Sequence, residues 1–410
     1  MELTQEQRAG LEILNSRKNV FLTGRAGTGK SFLIHHYLQD LNPDTHPVLA
    51  STGAAALLVG GRTFHSFWGL GILEGGLEKT VERALRNPRV VKRIRKAQAV
   101  LVDEISMLSG PTLACAERIA CLARGSDEPW GGLRFIAIGD FAQLPPINRF
   151  ASAPEWAFLD DVWLKSDFSP VVLQKIMRSS DPHWVHVLNL VRDGICNAEV
   201  EDFLNSRQIE AEENLEATRL FPHRNTAEEF NLHRLRELEG EETLIATTYA
   251  GAEPSLASLK KTAPIPEVLI LKIGALVMLR KNDIDGQFVN GSLGHVTGIQ
   301  KKYIRIELLD TGREIELETM SFELLDGDGN VTASAKNFPL TLAYGSTIHK
   351  AQGATIDRLI VDLGSLWESG QAYVALSRVK SPENLYLSTW SKRSIKADAR
   401  VKAFHASLDQ

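Results

Sequence analysis

Short runs of apolar, mostly β-branched residues punctuate the chain. They fall at 20–22 (VFL), 47–50 (PVLA), 99–102 (AVLV), 134–138 (RFIAI), 218–221 (TRLF), 356–362 (IDRLIVD) and 384–389 (NLYLST). Continuous rather than alternating hydrophobicity predicts strands covered on both faces, as in parallel sheets. Stretches of helical character lie between many of them, at 31–39, 111–123, 182–193, 226–239 and 369–377. That alternation predicts an α/β fold with doubly wound sheets, the first four strands in one group and the last three in another.

A segment of another kind interrupts the second group. Residues 268–335 alternate in short strand-like runs (VLILKIGALVML, GHVTGIQ, YIRIELL, REIELETMSFELL) separated by Asp285-Gly286, Asn290-Gly291 and Asp326-Gly327. This pattern predicts a small antiparallel barrel, with 251–267 as the connection into it.

The strand ends carry the candidate chemistry. Gly24 to Ser31, GRAGTGKS, follows the first strand and precedes a helix, matching the P-loop spacing. Backbone N–H groups of Gly24, Ala26, Gly27, Thr28 and Gly29 would curl around phosphate oxygens. Lys30 would reach the β- and γ-phosphates, and the Ser31 hydroxyl would ligate Mg²⁺. The third strand ends in Asp103-Glu104, a carboxylate for the metal and one to polarise water. Gln143, in FIAIGDFAQLPPI, is placed to sense a γ-phosphate. Arg178 and Arg378 are candidates for stabilising transition-state charge; both are expected in the second α/β unit, delivered across a cleft. STGAAA (51–56), GRTFHSFWGLG (61–71) and YGSTIHKAQG (344–353) mix hydroxyls, histidines and aromatics such as Phe67, suited either to a nucleic-acid strand or, for the aromatics, to a core.

Composition narrows the class. The net charge is −5, with 43% hydrophobic and 24% charged residues, which is ordinary for a globular protein. No apolar run approaches the roughly 20 residues needed to span a bilayer. MELTQEQ lacks signal-peptide character, and Cys115, Cys121 and Cys196 form no CxxC pair. The expectation is a location in the cytoplasm with the nucleoid, or in a nucleus or mitochondrion in a eukaryote. Residues 83–96, RALRNPRVVKRIRK, are strongly basic, which suits either a phosphate backbone or a solvated helix face.

In order and combination these segments resemble the superfamily 1B DNA helicases, and among them the petite-integration-frequency (Pif-like) family, with RecD-like helicases a step further away. The matching stretches, which include LQKIMR, VNGSLG and YVALSR, run from about residue 4 to residue 390. The resemblance implies two RecA-like doubly wound domains: 1–169, with a small wedge subdomain at 70–96, and 170–250 with 336–410. An SH3-like barrel would be inserted at 251–335. It implies ATP and Mg²⁺ as cofactors and Gln7 as the reader of adenine. Thr52, Thr63, His65, Thr347, His349 and Lys350 would line a single-strand track, coupled to nucleotide through Gln352 and Gly353. The wedge would bring the basic run near DNA. The partners implied are single-stranded DNA, 5′-tailed duplex, and G-quadruplexes or RNA–DNA hybrids, without a membrane. The core would be monomeric and minimal. Telomere maintenance and DNA repair are settings that the resemblance makes plausible.

Two other classes compete with a motor. A non-translocating P-loop switch would favour a guanine-specific N-K-x-D motif, but Lys281-Asn282-Asp283 has the wrong order. A passive single-strand binder would not need the intact set of ATPase residues.

Overall fold

The computed structural model describes residues 3–51, 62–70, 77–146, 153–209, 217–221, 223–281, 288, 290–309, 311–325 and 330–408. The chain divides into two units. The first comprises Met1–Arg178, Leu324–Thr332 and Ala399–Gln410; the second comprises Ser179–Glu323 and Ala333–Asp398.

The first unit is built on a six-stranded parallel sheet. Its strands are β1 (Val20–Gly24), β2 (Val48–Ala50), β3 (Arg62–Thr63), β4 (Ala99–Asp103), β5 (Arg134–Gly139) and β6 (Ser169–Leu173), in the order β3-β2-β4-β5-β1-β6. Successive side chains on a strand face opposite ways, and each way meets a separate core. Val20, Leu22, Leu101, Ile136 and Ile138 join Leu33 and Leu14 on one face. Phe21, Val100, Val102, Phe135 and Ala137 join the Gly110–Arg124 helix on the other. Complete burial of each large apolar side chain contributes roughly 1.5–3 kcal/mol.

The second unit has a four-stranded parallel sheet. β7 (Thr218–Phe221) is followed by an antiparallel region, then by β18 (Gly345–Thr347), β19 (Leu359–Leu363) and β20 (Leu385–Trp390); the parallel order is β18-β7-β19-β20. The strands between are β8 (Thr243–Ala246), β9 (Thr248–Gly251), β10 (Val268–Leu271), β11 (Leu276–Leu279), β12 (Leu293–Ile299), β13 (Tyr303–Leu308), β14 (Glu314–Glu318), β15 (Met320–Leu325), β16 (Val331–Asn337) and β17 (Leu340–Leu342). A five-stranded sheet, β14-β13-β12-β11-β17, closes over Val277, Leu279, Val296, Ile304, Ile306 and Phe338. The architecture is the expected one: two RecA-like α/β units with an antiparallel insertion. No helix among the described residues is long and apolar enough to cross a membrane.

Three expected boundaries move. Residues 170–178, expected in the second domain, group with the first unit. The cause is β6, which extends the first sheet beside β1, with Val20 opposite Ser169 and Gly24 opposite Leu173. Antiparallel pairing begins before residue 251, because β8 pairs with β10, Ala246 opposite Val268. Residues 399–410, also expected in the second domain, group with the first unit. Phe404, on the Ala399–Leu408 helix, stacks on Phe158 at 4.4 Å and 14°. It also meets Phe141 edge-on at 5.5 Å.

The basic run folds into the helices Leu77–Leu85 and Pro88–Lys96. Several of its charges serve the fold. Arg93 donates from Nε to the carbonyl of Phe67 (2.6 Å) and from Nη2 to that of Ser66 (2.7 Å). Arg95 donates to Ala123 O (2.6 Å), Arg83 to Leu70 O, and Lys96 pairs with Asp44 (2.6 Å). Arg86, Arg89 and Lys92 are exposed.

The docking of the terminal helix is testable. Phe404→Ala should destabilise the protein by about 3 kcal/mol, the scale of an aromatic deletion, read as a lower thermal midpoint. An unchanged midpoint would mean that the Phe404 cluster adds nothing.

Candidate nucleotide and strand sites

The order of the first sheet determines what stands side by side. Its consecutive strands β4, β5, β1 and β6 end in Asp103-Glu104, Asp140, the P-loop with Lys30, and Arg178 respectively. Ligands in open α/β sheets bind at these carboxyl ends, so chain segments far apart in sequence converge at one edge.

The P-loop backbone is shaped for close approach. Gly27 and Gly29 have φ of 80° and 85°, a region that disfavours L side chains. A Cβ on Gly27 would lie 2.5 Å from Arg178 Cβ, and one on Gly29 would lie 2.6 Å from Gln7 Nε2. Thr28 is buried and its hydroxyl donates to Arg25 O (3.0 Å), closing the turn. Ala26 is half-buried, and Gly24 closes β1. The Lys30–Leu38 helix starts here with Ser31 exposed in its first turn. N–H groups at a helix N-terminus favour anions.

Lys30 Nζ donates to the carbonyls of Gly24 (2.7 Å) and Arg25 (3.2 Å). Burial pulls its pKa down; Asp140, then Glu104 and Asp103, pull it back up, while Arg178 adds to the lowering. Burial conversely pushes the Asp103 carboxyl up, against the Glu104 N–H and Lys30. Asp103 Oδ1 accepts that N–H at 2.9 Å. This bond holds Glu104 in the left-handed region, φ 52° and ψ 49°. Such a conformation in a non-glycine residue costs about 1–3 kcal/mol and is commonest where function requires it.

Asp140 stands outside the sequence candidates, yet it is fully buried and the largest charge acting on Lys30. Its Oδ1 accepts the Ala142 N–H (3.1 Å), and its carbonyl accepts the N–H of Gln143 (3.0 Å), itself buried. His405, on the terminal helix, places Nε2 3.5 Å from Asp140 Oδ1. The sequence clue was a Gly-Asp pair ending an apolar strand; nothing local pointed to His405.

Arg178 departs from expectation, and Gln7 has structural partners of its own. Arg178 belongs to the first unit, because β6 carries the chain back to the P-loop, where Met177 N–H donates to Gly27 O at 2.8 Å. Gln7 forms a capping box with Thr4, accepting from Thr4 N–H (3.0 Å), and its Nε2 faces Thr28 O at 3.5 Å. Those bonds make it a strut between the first helix and the P-loop.

The strand-track candidates repeat one local geometry in both units. In the first, edge strand β3 ends in Thr63, whose hydroxyl accepts from Ser66 N–H (3.1 Å) and caps the helix Phe64–Trp68. In the second, edge strand β18 ends in Thr347, whose hydroxyl accepts from Lys350 N–H (3.2 Å) and caps the turn Ile348–Ala351. A histidine follows each threonine by two residues, His65 and His349, and both stay half-buried. Burial lowers the pKa of each. Lys350 is exposed. Asn231, which no sequence motif marks, clamps β18 by donating to Gly345 O and accepting from Gly345 N–H, both at 2.7 Å.

Phe67 is a correction. It is 1% exposed and packs edge-on against Trp68 at 5.0 Å, so it belongs to the core. Phe64 and Trp68 are equally buried, because the five-residue helix turns its apolar residues toward the sheet. Thr52 lies outside the described residues.

Gly353 and Arg378 lie in the second unit. Gly353 is exposed, with φ of 77°, just after the capped turn. Arg378 is 1% exposed. Its Nε donates to Val374 O (2.7 Å), Nη1 to Ala351 O and Ala354 O (3.3 Å each), and Nη2 to Ser377 Oγ (2.7 Å). Here it ties the Gly353 turn to the Gln371–Leu376 helix rather than presenting charge outward.

The chain as a whole is similar to known proteins. A model of the PIF1-like helicase family matches residues 2–201. The chain is 48% identical over all its length to an ATP-dependent DNA helicase Pif1 from Bdellovibrio bacteriovorus, covering 93% of that protein. It spans 64% of the human ATP-dependent DNA helicase PIF1, at 34% identity. Among solved structures, Bacteroides sp. Pif1 in complex with ADP-AlF4 superposes with a TM-score of 0.86 at 28% identity, over 100% of this chain and 97% of that one. The Bacteroides enzyme with ADP-AlF3 and single-stranded DNA gives 0.68 at 28% identity, over 100% and 98%.

The two histidines make a pH prediction. A histidine whose folded pKa is depressed binds fewer protons than its unfolded counterpart just below the ordinary value of 6.5. Stability should therefore fall as pH drops from about 7.5 to about 5.5. The double variant His65→Asn/His349→Asn should flatten that loss in denaturant titrations. An unchanged slope would mean that these rings do not set it.

Proposed function

The chain belongs to the PIF1-like helicase family and is an ATP-dependent DNA helicase; we propose that it moves 5′→3′ along single-stranded DNA and separates duplex ahead of it. The observation that carries the ATPase reading is the row of strand ends, Asp103-Glu104, Asp140 and Lys30, at one sheet edge. On this reading Lys30 leaves the loop carbonyls for the β- and γ-phosphates. The glycines admit phosphate oxygens to the backbone N–H groups. Glu104, aimed by its left-handed turn, orients and polarises the attacking water. Gln143 senses the γ-phosphate, and Arg178, packed on Gly27, answers the charge that builds during transfer.

Mg²⁺ would be held by the Ser31 hydroxyl and the Asp103 carboxylate, a donor set that fits an ion bound through one carboxylate and substrate phosphates. When bound it neutralises developing charge on the phosphates.

The strand track rests on the two capped turns. Thr63-Phe64-His65 and Thr347-Ile348-His349 each place a helix start, a hydroxyl and a half-buried histidine at the end of an edge strand. In each unit, taken by itself, such groups hold phosphates and sugars without reading sequence, as a translocating motor requires. Tailed and forked duplexes are the substrates we assign; RNA–DNA hybrids and G-quadruplexes are further candidates for the same track.

Single-stranded DNA should stimulate ATP hydrolysis, and duplexes with 5′ tails should be unwound in preference to those with 3′ tails. A flat ATPase rate on adding DNA would sink the motor; preference for 3′ tails would reverse the polarity. Glu104→Gln should retain nucleotide and DNA binding but lose at least about 100-fold in turnover, the contribution of a positioned general base. Persistent turnover would remove Glu104 from that role.

A further inference from the structure

Among the described residues, Trp367 is the one aromatic in the set of large, well-exposed apolar side chains; it is 52% exposed. Its indole is not loose. The ring lies nearly parallel to that of exposed His223, with centroids 5.1 Å apart and planes 17° off. His223 follows β7 and Trp367 follows β19, which are paired neighbours in the parallel sheet, so both rings stand at its carboxyl edge. The Trp367 and Glu368 N–H groups donate to Oε1 of fully buried Gln371, at 3.3 and 3.2 Å. Glu368 in turn places Oε2 4.0 Å from His349 Nε2, linking the loop to the second capped turn. An exposed indole held flat on a second ring by a buried anchor is a preformed stacking surface.

We propose that Trp367, backed by His223, is a stacking platform for one nucleobase of the bound single strand, beside the Thr347–Lys350 turn. The inference rests on the reading of this chain as a single-strand motor. Every base offers a π-face, so the platform holds the strand without sequence preference. It also supplies what the hydroxyls and Lys350 lack: a grip on the base rather than the phosphate. His223 would position the indole, and Gln371 would fix the loop that carries it.

The chain has seven tryptophans. Trp68, Trp130, Trp156, Trp163 and Trp184 are buried, and Trp390 is half-buried with its N–H on Asn205 Oδ1. Tryptophan emission should therefore be quenched when oligothymidylate is added, and Trp367→Phe should abolish most of that quench while binding within a few-fold of wild type. Trp367→Ala should weaken binding about 10-fold by fluorescence anisotropy of a labelled oligonucleotide, as loss of one base stack does. Its salt dependence should keep the wild-type slope, because no phosphate contact is lost, whereas Lys350→Ala should reduce the slope. An unchanged thermal midpoint for Trp367→Phe verifies folding. Wild-type affinity in Trp367→Ala, quenching that survives in Trp367→Phe, or a change of oligomeric state in place of DNA affinity would overturn the platform. No binding of oligothymidylate by the wild type would instead overturn the motor reading on which it rests.

Discussion

The candidate nucleotide site of the first unit turns on one half-buried lysine. Lys30 is desolvated beside the P-loop, which disfavours its charge, and Asp140, Glu104 and Asp103 restore it. None of these partners is near it in sequence. They meet because β4, β5 and β1 are consecutive in the sheet and all three strands run the same way. A parallel sheet brings every carboxyl end to one edge, so sheet order becomes charge order. Asp140 is the fully buried member, so removing Lys30 would leave its carboxylate without the positive charge that faces it. A γ-phosphate brought to Lys30 would enter a network whose positive and negative members are already arranged, so little reorganisation is needed.

The second recurring device is the threonine cap. Edge strands β3 and β18 are short, two and three residues, and each hands directly to a helical turn through a threonine hydroxyl. The cap satisfies an orphan N–H and sets the direction of the turn. More distant residues then secure the position. Arg93 binds the last carbonyls of the Phe64–Trp68 helix, where positive charge is favoured. Asn231 performs the equivalent service for β18 from a helix more than a hundred residues earlier. The basic run thus does much of its work inside the fold, holding a candidate DNA-binding turn rather than offering all its charge to a phosphate backbone.

Much of the site was legible because its local rules are strict. A glycine-rich turn followed by Lys30 and Ser31 has few other physical uses, and an apolar strand ending in Asp103-Glu104 completes it. Phe67 is ambiguous in sequence because a short segment rich in aromatics reads the same whether it faces a base or a core, and only the facing sheet decides. Arg178 was assigned to the wrong unit because Ser169–Leu173 begins Ser-Pro and contains only three apolar residues after it, too weak a signal for the strand that completes the first sheet. His405 and Trp367 carried no signal of their own. Each matters through a neighbour, Asp140 or His223, that lies more than a hundred residues away.

Sequence alone determined the fold class, the phosphate loop, the acidic pair and the two threonine–histidine segments. The fold class follows from alternating apolar and helical runs along the whole chain, while the glycine-rich loop and the acidic pair are each specified within a dozen residues. Only the tertiary structure decided which strand ends are adjacent, that β6 and the terminal helix belong to the first unit, and which charges face Lys30. Those outcomes depend on long-range strand order and aromatic packing, which no local window contains. The same holds for Arg378: its motif was plain, but its burial against the carbonyls of Ala351 and Ala354 is a property of the folded second unit.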